Sequence, residues 1–239
     1  MIKGNIHSIE TMGLVDGPGI RVVVFFQGCA LRCSFCHNPD TWNTKGGTEY
    51  TPEELVRKIE RYKTYFKNSG GGVTFSGGEP LLQPEFLIEV LKLCKSRGIH
   101  TTIDTAGVGL GRYEEILELV DLILFDIKHY DPIEYEKITG RKIDESLKFL
   151  ALANKMNKKM WIRHVMMPGV TDNEQAINKL GEIIINLKNV EKIEILPYHL
   201  LGVNKYEALG MKYKLELMPA MNKNKAKELE KLLIEVSKK

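Results

Sequence analysis

Cys29, Cys33 and Cys36 fall in the run Gly28-Cys29-Ala30-Leu31-Arg32-Cys33-Ser34-Phe35-Cys36-His37, directly after an apolar stretch, with the spacing Cys-x3-Cys-x2-Cys. Thiolates are the usual ligands of iron–sulfur clusters, and a [4Fe–4S] cube takes four ligands. These cysteines supply three and leave one iron open to a substrate or cofactor. A second reading is a closed Cys3His zinc site made from the same cysteines and His37. Zinc sites usually pair two ligand knuckles across a longer loop, whereas these ligands fall within nine positions, which favours the cluster.

Other reactive groups also sit where apolar runs end. Ser76-Gly77-Gly78-Glu79-Pro80 follows one such run. Glycine lets backbone come close to a ligand, and Glu79 adds a carboxylate able to hold an ammonium group, although a Gly-rich strand-to-helix turn is often only a turn. Asp104-Thr105 and Asp126-Ile127-Lys128 end two further runs. They fit a structural ion pair, and Asp104 with Asp126 also suits a shared cation as hard oxygen ligands. Arg163 and His164 lie in the fifth run and Tyr198-His199 ends the sixth, where His199 reads as a rim histidine or a ligand contact. Asp16-Gly17-Pro18-Gly19-Ile20-Arg21 reads by composition as a turn. Trp42 and Trp161 read as packing, and Cys94, in an apolar helical stretch, as a buried thiol.

The elements that must position these groups alternate. Short β-rich runs cover Val22 to Gln27, Val73 to Phe75, Thr101 to Asp104, Leu122 to Ile127, Met160 to Met166 and Lys192 to Leu196. Amphipathic helical segments cover Thr51 to Asn68, Pro84 to Arg97, Arg112 to Leu119, Asp144 to Asn157, Asn173 to Leu187 and Asn222 to Val236. Ile2 to Glu10 reads as an extra edge strand or hairpin. Near-continuous apolar strands separated by helices predict a mainly parallel α/β sheet. Six of them predict a partial (β/α)6 barrel within a single domain over residues 1–239. Ligands of parallel α/β folds bind at the carboxyl ends of strands, which is where the polar groups gather.

Composition narrows the class. Among 239 residues, 34 Lys+Arg against 31 Asp+Glu leave a net charge of +3. That is too balanced for nucleic acid or a membrane surface as the main partner. No run reads as a transmembrane helix or a signal peptide. Four cysteines, three of them clustered, point to metal chemistry in a reducing compartment rather than a disulfide framework, so a cytoplasmic location is expected.

The cysteine motif, Phe35 before its third cysteine, and Gly77-Gly78-Glu79 together resemble the radical S-adenosylmethionine (SAM) superfamily. The narrower resemblance is to the glycyl-radical-enzyme activating enzymes. It rests on Asp16–Arg21, Phe26-Gln27-Gly28-Cys29, Cys36-His37-Asn38-Pro39, Asp104-Thr105, the segment from Trp161 to Gly169, and Glu194–His199. The resemblance implies one [4Fe–4S] cluster on Cys29, Cys33 and Cys36, with SAM on the open iron. Gly77, Gly78 and Glu79 would contact the SAM amino group. Asp126, Ile127, Lys128 and His199 would hold its methionyl part, and the backbone of Ser34, Phe35 and His37 its adenine. Asp104, Thr105 and Asp126 would form a monovalent cation site, and Asp16 would help receive the partner's glycine loop. Reduction would come from a flavodoxin or ferredoxin.

Many family members carry an inserted ferredoxin-like segment with further cysteines. Here only Cys94 lies outside the motif and nothing interrupts Pro39 to Tyr50. That favours pyruvate formate-lyase as the partner, over another glycyl radical enzyme or a small-molecule substrate. Ala106 departs from the polar residue often found after Asp104-Thr105. A non-catalytic zinc adaptor would leave the six polar strand ends unexplained.

Overall fold

Consecutive rather than alternating apolar residues bury both faces of a strand, and the central runs of this chain carry that pattern. In the computed structural model, which describes residues 2–238, they build one eight-stranded sheet. The strands are β1 (Gly4–Gly13), β2 (Arg21–Phe26), β3 (Thr48–Tyr50), β4 (Gly72–Gly77), β5 (Thr101–Thr105), β6 (Leu122–Asp126), β7 (Met160–Met166) and β8 (Val190–Pro197). Their order is β3-β1-β2-β4-β5-β6-β7-β8. From β2 onward every neighbouring pair is parallel, while β1 pairs antiparallel with both β2 and β3. The ends of the order do not pair, so the half-barrel is open, as six parallel strands predict.

The helices are α1 (Pro52–Glu60), α2 (Lys63–Ser69), α3 (Pro84–Ser96), α4 (Tyr113–Leu119), α5 (Pro132–Thr139), α6 (Asp144–Lys155), α7 (Glu174–Ile184), α8 (Val203–Ala208) and α9 (Lys223–Val236). Side chains alternate across a strand, and the two faces of this sheet differ in chemistry. Val22, Val24, Phe26, Val73, Phe75, Ile103, Ile123 and Phe125 join the apolar core under the helices. The intervening positions face the concave side and include Thr74, Ser76, Thr102, Asp104, Asp126 and Arg163. Fully burying one large aliphatic side chain is worth roughly 1.5–3 kcal/mol, so the helix-side face carries the stability. The concave face is left free to be polar.

Several elements differ from the sequence expectation. The first strand is internal, because the short β3 covers its outer edge. The helix expected over Thr51 to Asn68 is two helices: a tight Tyr62 N–H to Ile59 O bond, 3.1 Å, ends α1. Its start follows the sequence, with Thr51 and Glu54 forming a reciprocal capping box. Helix α5 lies outside the expected segments although its signals are present, Asp131 as N-cap, Pro132 at the first position and Gly140 (φ 72°) at the end. Trp161 packs as expected, half-buried on the concave face with Lys192 Nζ 4.4 Å from its ring centroid. Cys94 is fully buried as expected. Among the described residues no helix is long and apolar enough to cross a membrane.

His164 lies on the helix side of β7 and is buried. Its Nδ1 donates to the Ile127 carbonyl at 2.7 Å, and its Nε2 has no partner. Burial pulls its pKa from 6.5 down to about 4, because a proton on Nε2 would meet no acceptor. The unfolded chain therefore binds a proton that the folded chain refuses, and stability falls as pH drops from about 6.5 to 4. The full effect is about 3 kcal/mol. Urea unfolding across that pH range will show a shallower decline for His164→Gln than for the native chain; parallel declines would refute the assignment.

Candidate active site

The cysteine loop leaves β2 through Gln27 and Gly28, the latter at φ 98°, a backbone conformation suited to glycine. It is pinned on three sides. Gly28 N donates to Thr41 O at 2.7 Å, Arg32 N to Thr139 O at 2.7 Å, and Ser34 N to Ile138 O at 2.9 Å. From α8, Tyr206 Oη donates to Cys36 O at 3.0 Å, and Lys205 Nζ donates to Asn38 Oδ1 at 3.0 Å. All four cysteines are free thiols.

Cys29, Cys33 and Cys36 line one cavity of about 220 Å³, together with Phe35, His37, Gly77, Gly78, Glu79, Asp104, Thr105, Asp126 and Lys128. Twelve sequence-derived positions from four strand ends thus meet on one wall. Burial pushes the Cys29 and Cys33 thiols up to about 12, and raises Cys36 against opposing hydrogen bonds from Asn38 and Trp42. A buried thiolate needs a compensating cation, and ferric and ferrous ions with sulfide supply one. The His37 ring is held elsewhere: Nε2 donates to the His199 carbonyl at 3.0 Å, and the ring stacks on His199 with centroids 4.0 Å apart. This is not the arrangement of a closed Cys3His site.

The Gly77-Gly78-Glu79 turn is joined to the cysteine loop through backbone. Gly78 N donates to Phe26 O and Glu79 N to Gly28 O, both at 2.9 Å. A Cβ on Gly78 would overlap the Gly28 carbonyl, and Gly77 sits at φ 102° against the β2 backbone. The turn therefore needs both glycines to lie this close. Glu79 is buried and already engaged. Its Oε1 accepts from Thr105 Oγ1 at 2.6 Å and from Leu81 N at 3.2 Å, and its Oε2 accepts from Ala106 N at 3.0 Å. Burial pushes its carboxyl up to about 7 despite these donors. Glu79 thus clamps the turn to the end of β5, and Thr105 Oγ1 points to that clamp. Ala106 takes part through its N–H, a role that asks nothing of its side chain.

Across the cavity runs a chain of charges. Lys128 Nζ pairs with Asp126 Oδ2 at 2.7 Å and lies 5.7 Å from the Phe35 ring centroid. Burial alone would lower the Lys128 pKa, but Asp126, Cys33 and Asp104 outweigh it and raise it. Burial likewise opposes ionisation of Asp126, yet Lys128 and Arg163 hold it below the usual carboxylate value. Asp104 is raised, by burial and by Asp126, although Arg163 opposes this. Ser76 Oγ donates to Asp104 Oδ2 at 2.7 Å. Arg163 Nη1 approaches Asp104 Oδ1 at 3.4 Å without hydrogen-bond geometry. Asp104 Oδ1, Asp126 Oδ1, Arg163 Nε and Arg163 Nη1 are buried and lack hydrogen-bond partners. Buried polar groups are ordinarily satisfied, so this set is suited to a bound polar or charged ligand.

Four sequence-derived residues are not on that wall. Ser34 and Ile127 are buried behind it. His199 lies behind His37, reaching the cavity through the stacked ring. Asp16 sits beneath it, where burial and Asp104 raise its pKa while Arg163 lowers it. Arg163 is the member whose role was missed; its signal was a cation at an inward-facing position of an otherwise apolar strand.

The family model for the radical SAM superfamily matches residues 23–180. The chain is 62% identical over 236 residues to a pyruvate formate-lyase-activating enzyme of Clostridium pasteurianum, covering 99% of each. It is 50% identical over 224 residues to one from Staphylococcus epidermidis, covering 90% of this chain and 89% of that protein. Among solved structures it resembles a domain of pyruvate-formate lyase-activating enzyme from Bacteroides vulgatus. That match has a TM-score of 0.58 and 28% identity, over 70% of this chain and 95% of that one.

Gly78→Ala forces the turn away from Gly28 and breaks the Glu79 N–Gly28 O bond. The variant is expected to lose about 1–3 kcal/mol in urea unfolding, as overpacking does. Native stability in this variant would show that the turn has room to relax.

Proposed function

This chain belongs to the radical SAM superfamily and, within it, to the pyruvate formate-lyase-activating enzymes, and from that membership we propose that it installs a glycyl radical in pyruvate formate-lyase. Cys29, Cys33 and Cys36 would hold a [4Fe–4S] cluster with SAM on its open iron, which, given one electron, would supply the reductive cleavage of SAM to methionine and a 5′-deoxyadenosyl radical able to take a Cα hydrogen from glycine. The observation that carries this reading is the meeting of three cysteines, a glycine turn and a buried Asp126–Lys128 pair on one small cavity.

Each side chain has a task in that chemistry. Cys29, Cys33 and Cys36 hold the cluster. Gly77 and Gly78 bring backbone against the amino group of SAM, and Glu79 fixes the turn from behind. Lys128 faces the carboxylate of SAM from its station on Asp126. The free Oδ1 atoms of Asp104 and Asp126 are where a monovalent cation would bind, with Arg163 limiting how much charge is left over. Phe35 and His37, the latter braced by His199, form the adenine side. Asp16, beneath the cavity, would help receive the glycine loop. A carbon radical attacks indiscriminately, so the buried walls serve to exclude water and fix the target carbon. A flavodoxin or ferredoxin is the electron donor in this reading, and the cytoplasm the compartment.

Anaerobic mixing of reconstituted protein, reductant, SAM and pyruvate formate-lyase is expected to give a glycyl-radical doublet in electron paramagnetic resonance. SAM cleavage with no doublet on any glycyl radical enzyme would instead indicate a small-molecule substrate. Cys33→Ala is expected to lose the cluster's visible absorbance and all reductive SAM cleavage. Lys128→Met keeps the cysteines and loses a charge-assisted contact worth about 1.5–3 kcal/mol. The KM for SAM should therefore rise about 10- to 100-fold at unchanged iron content; an unchanged KM would remove Lys128 from the SAM site.

A further inference from the structure

Cys29 lines two cavities. One is the reaction cavity, and the other is a depression of about 710 Å³ on the outer side of the cysteine loop. The outer depression is walled by Arg32, Trp42, Leu110, Arg141 and Met211 in addition to Cys29. Arg32 Nη1 donates to the Cys29 carbonyl at 2.6 Å, and its guanidinium carbon lies 5.1 Å from the Trp42 ring centroid. Arg141 Nε donates to Ala30 O at 3.3 Å. Both arginines are exposed.

The charge here is not cancelled within the chain. Among the described residues neither arginine is in an ion pair with a carboxylate. Asp40, the carboxylate on this wall, is held by Lys205 and by His7, each at 3.1 Å. Two free cations therefore face outward beside apolar side chains that are also exposed, Leu110 at 68% and Leu209 at 45%. An apolar floor with a cationic rim is complementary to an acidic protein, and such charge steers a brief, small-area encounter.

We infer that this outer depression is where an acidic one-electron carrier protein docks, so that the electron arrives through the Cys29 side of the loop. The inference rests on the proposed reading, in which the centre held by the cysteines must be reduced. One electron leaves the reduced carrier, which is oxidised by one, and the centre is reduced by one; no bond forms or breaks and no proton moves. The reaction cavity then stays closed around SAM and the glycine while the electron comes from the opposite face.

The test uses the reconstituted full chain with a flavodoxin of net negative charge as the probe. Arg141→Glu and, separately, Arg32→Gln are compared with the native chain. Two quantities are measured: the Kd for flavodoxin at low and moderate salt, and the rate of reduction by reduced flavodoxin against that by dithionite. Arg141→Glu should weaken flavodoxin binding about tenfold or more and slow flavodoxin-driven reduction in parallel, with a flatter salt dependence. Iron content and dithionite reduction should be unchanged. Arg32→Gln should show the same pattern more weakly. Unaltered Kd and flavodoxin rate in both variants would overturn the inference. So would equal slowing with dithionite, which would make the arginines mere clasps of the loop. Self-association through this face, abolished by Arg141→Glu, would overturn it in favour of a second copy of the chain. If the dithionite-reduced native chain fails to cleave SAM, the functional reading fails instead, and the Kd comparison separates the two.

Discussion

A buried guanidinium holds the floor of the half-barrel together. Arg21 is fully buried at the start of β2, and its donors reach two further strands and a turn. Nε donates to Thr74 Oγ1 at 2.6 Å, Nη2 to Val73 O at 2.6 Å and to Thr102 Oγ1 at 2.8 Å, and Nη1 to Pro18 O at 3.0 Å. Burial pulls its pKa down to about 10, so it stays charged at neutral pH. A buried charge is tolerable only when its hydrogen-bonding capacity is met, and here the partners are neutral oxygens fixed by the strands themselves. Thr74 passes the constraint on by donating to Asp16 O at 2.6 Å. Gly19, at φ 66°, lies against Gly71 with no room for a Cβ. The segment from Asp16 to Arg21 is therefore one unit with the sheet, and Asp16 is directed to the concave side because Arg21 is anchored.

What happens at the other end of the strands follows from the same division of faces. The helix side takes the apolar residues, and the concave side then offers alternate positions whose composition the core does not dictate. Parallel pairing sets Asp104 beside Leu124, and Asp126 beside Arg163, in register. The alternating charges at the strand ends are consequently neighbours in space although dozens of residues separate them in sequence. None of these carboxylates could be buried alone; Lys128 and Arg163 offset them, which keeps Asp126 ionised while Asp104 is held nearer neutrality.

The parts that could be read from the sequence depend on short spacing. The cysteine triplet, the Gly-Gly-Glu turn and the apolar strand runs lie within a few residues, so their geometry follows from local conformation. The parts that could not be read depend on partners far along the chain. Arg21 looked like the last residue of a turn because its acceptors on β4 and β5 lie 52 to 81 positions away. Glu79 looked free to hold an ammonium group because its donors Thr105 and Ala106 lie 26 and 27 positions away. Helix α8 spans only Val203–Ala208, too short for a periodic signal, and its packing on the cysteine loop needs the Tyr206 and Lys205 contacts to be seen.

The pattern of satisfied and unsatisfied groups separates scaffold from site. Glu79 has donors on both oxygens, Arg21 has four acceptors, and the Tyr198 and Tyr213 hydroxyls bond each other at 2.7 Å. Glu79 is on the cavity wall, while Arg21, Tyr198 and Tyr213 do not line it. Asp104 Oδ1, Asp126 Oδ1 and two Arg163 nitrogens are just as buried and have no hydrogen-bond partner. Leaving a buried polar atom unpaired costs roughly 1–3 kcal/mol; Tyr135 Oη, His164 Nε2 and Glu194 Oε2 are left so as well, but the Asp104, Asp126 and Arg163 side chains are the unpaired ones that line the reaction cavity. A cation can complete the two carboxylate oxygens, and an anionic group the guanidinium nitrogens, so the set is suited to ligands of either sign. On the cavity wall the incomplete residues are thus where a ligand can add hydrogen bonds, while complete ones such as Glu79 and Arg21 hold the strands that shape it.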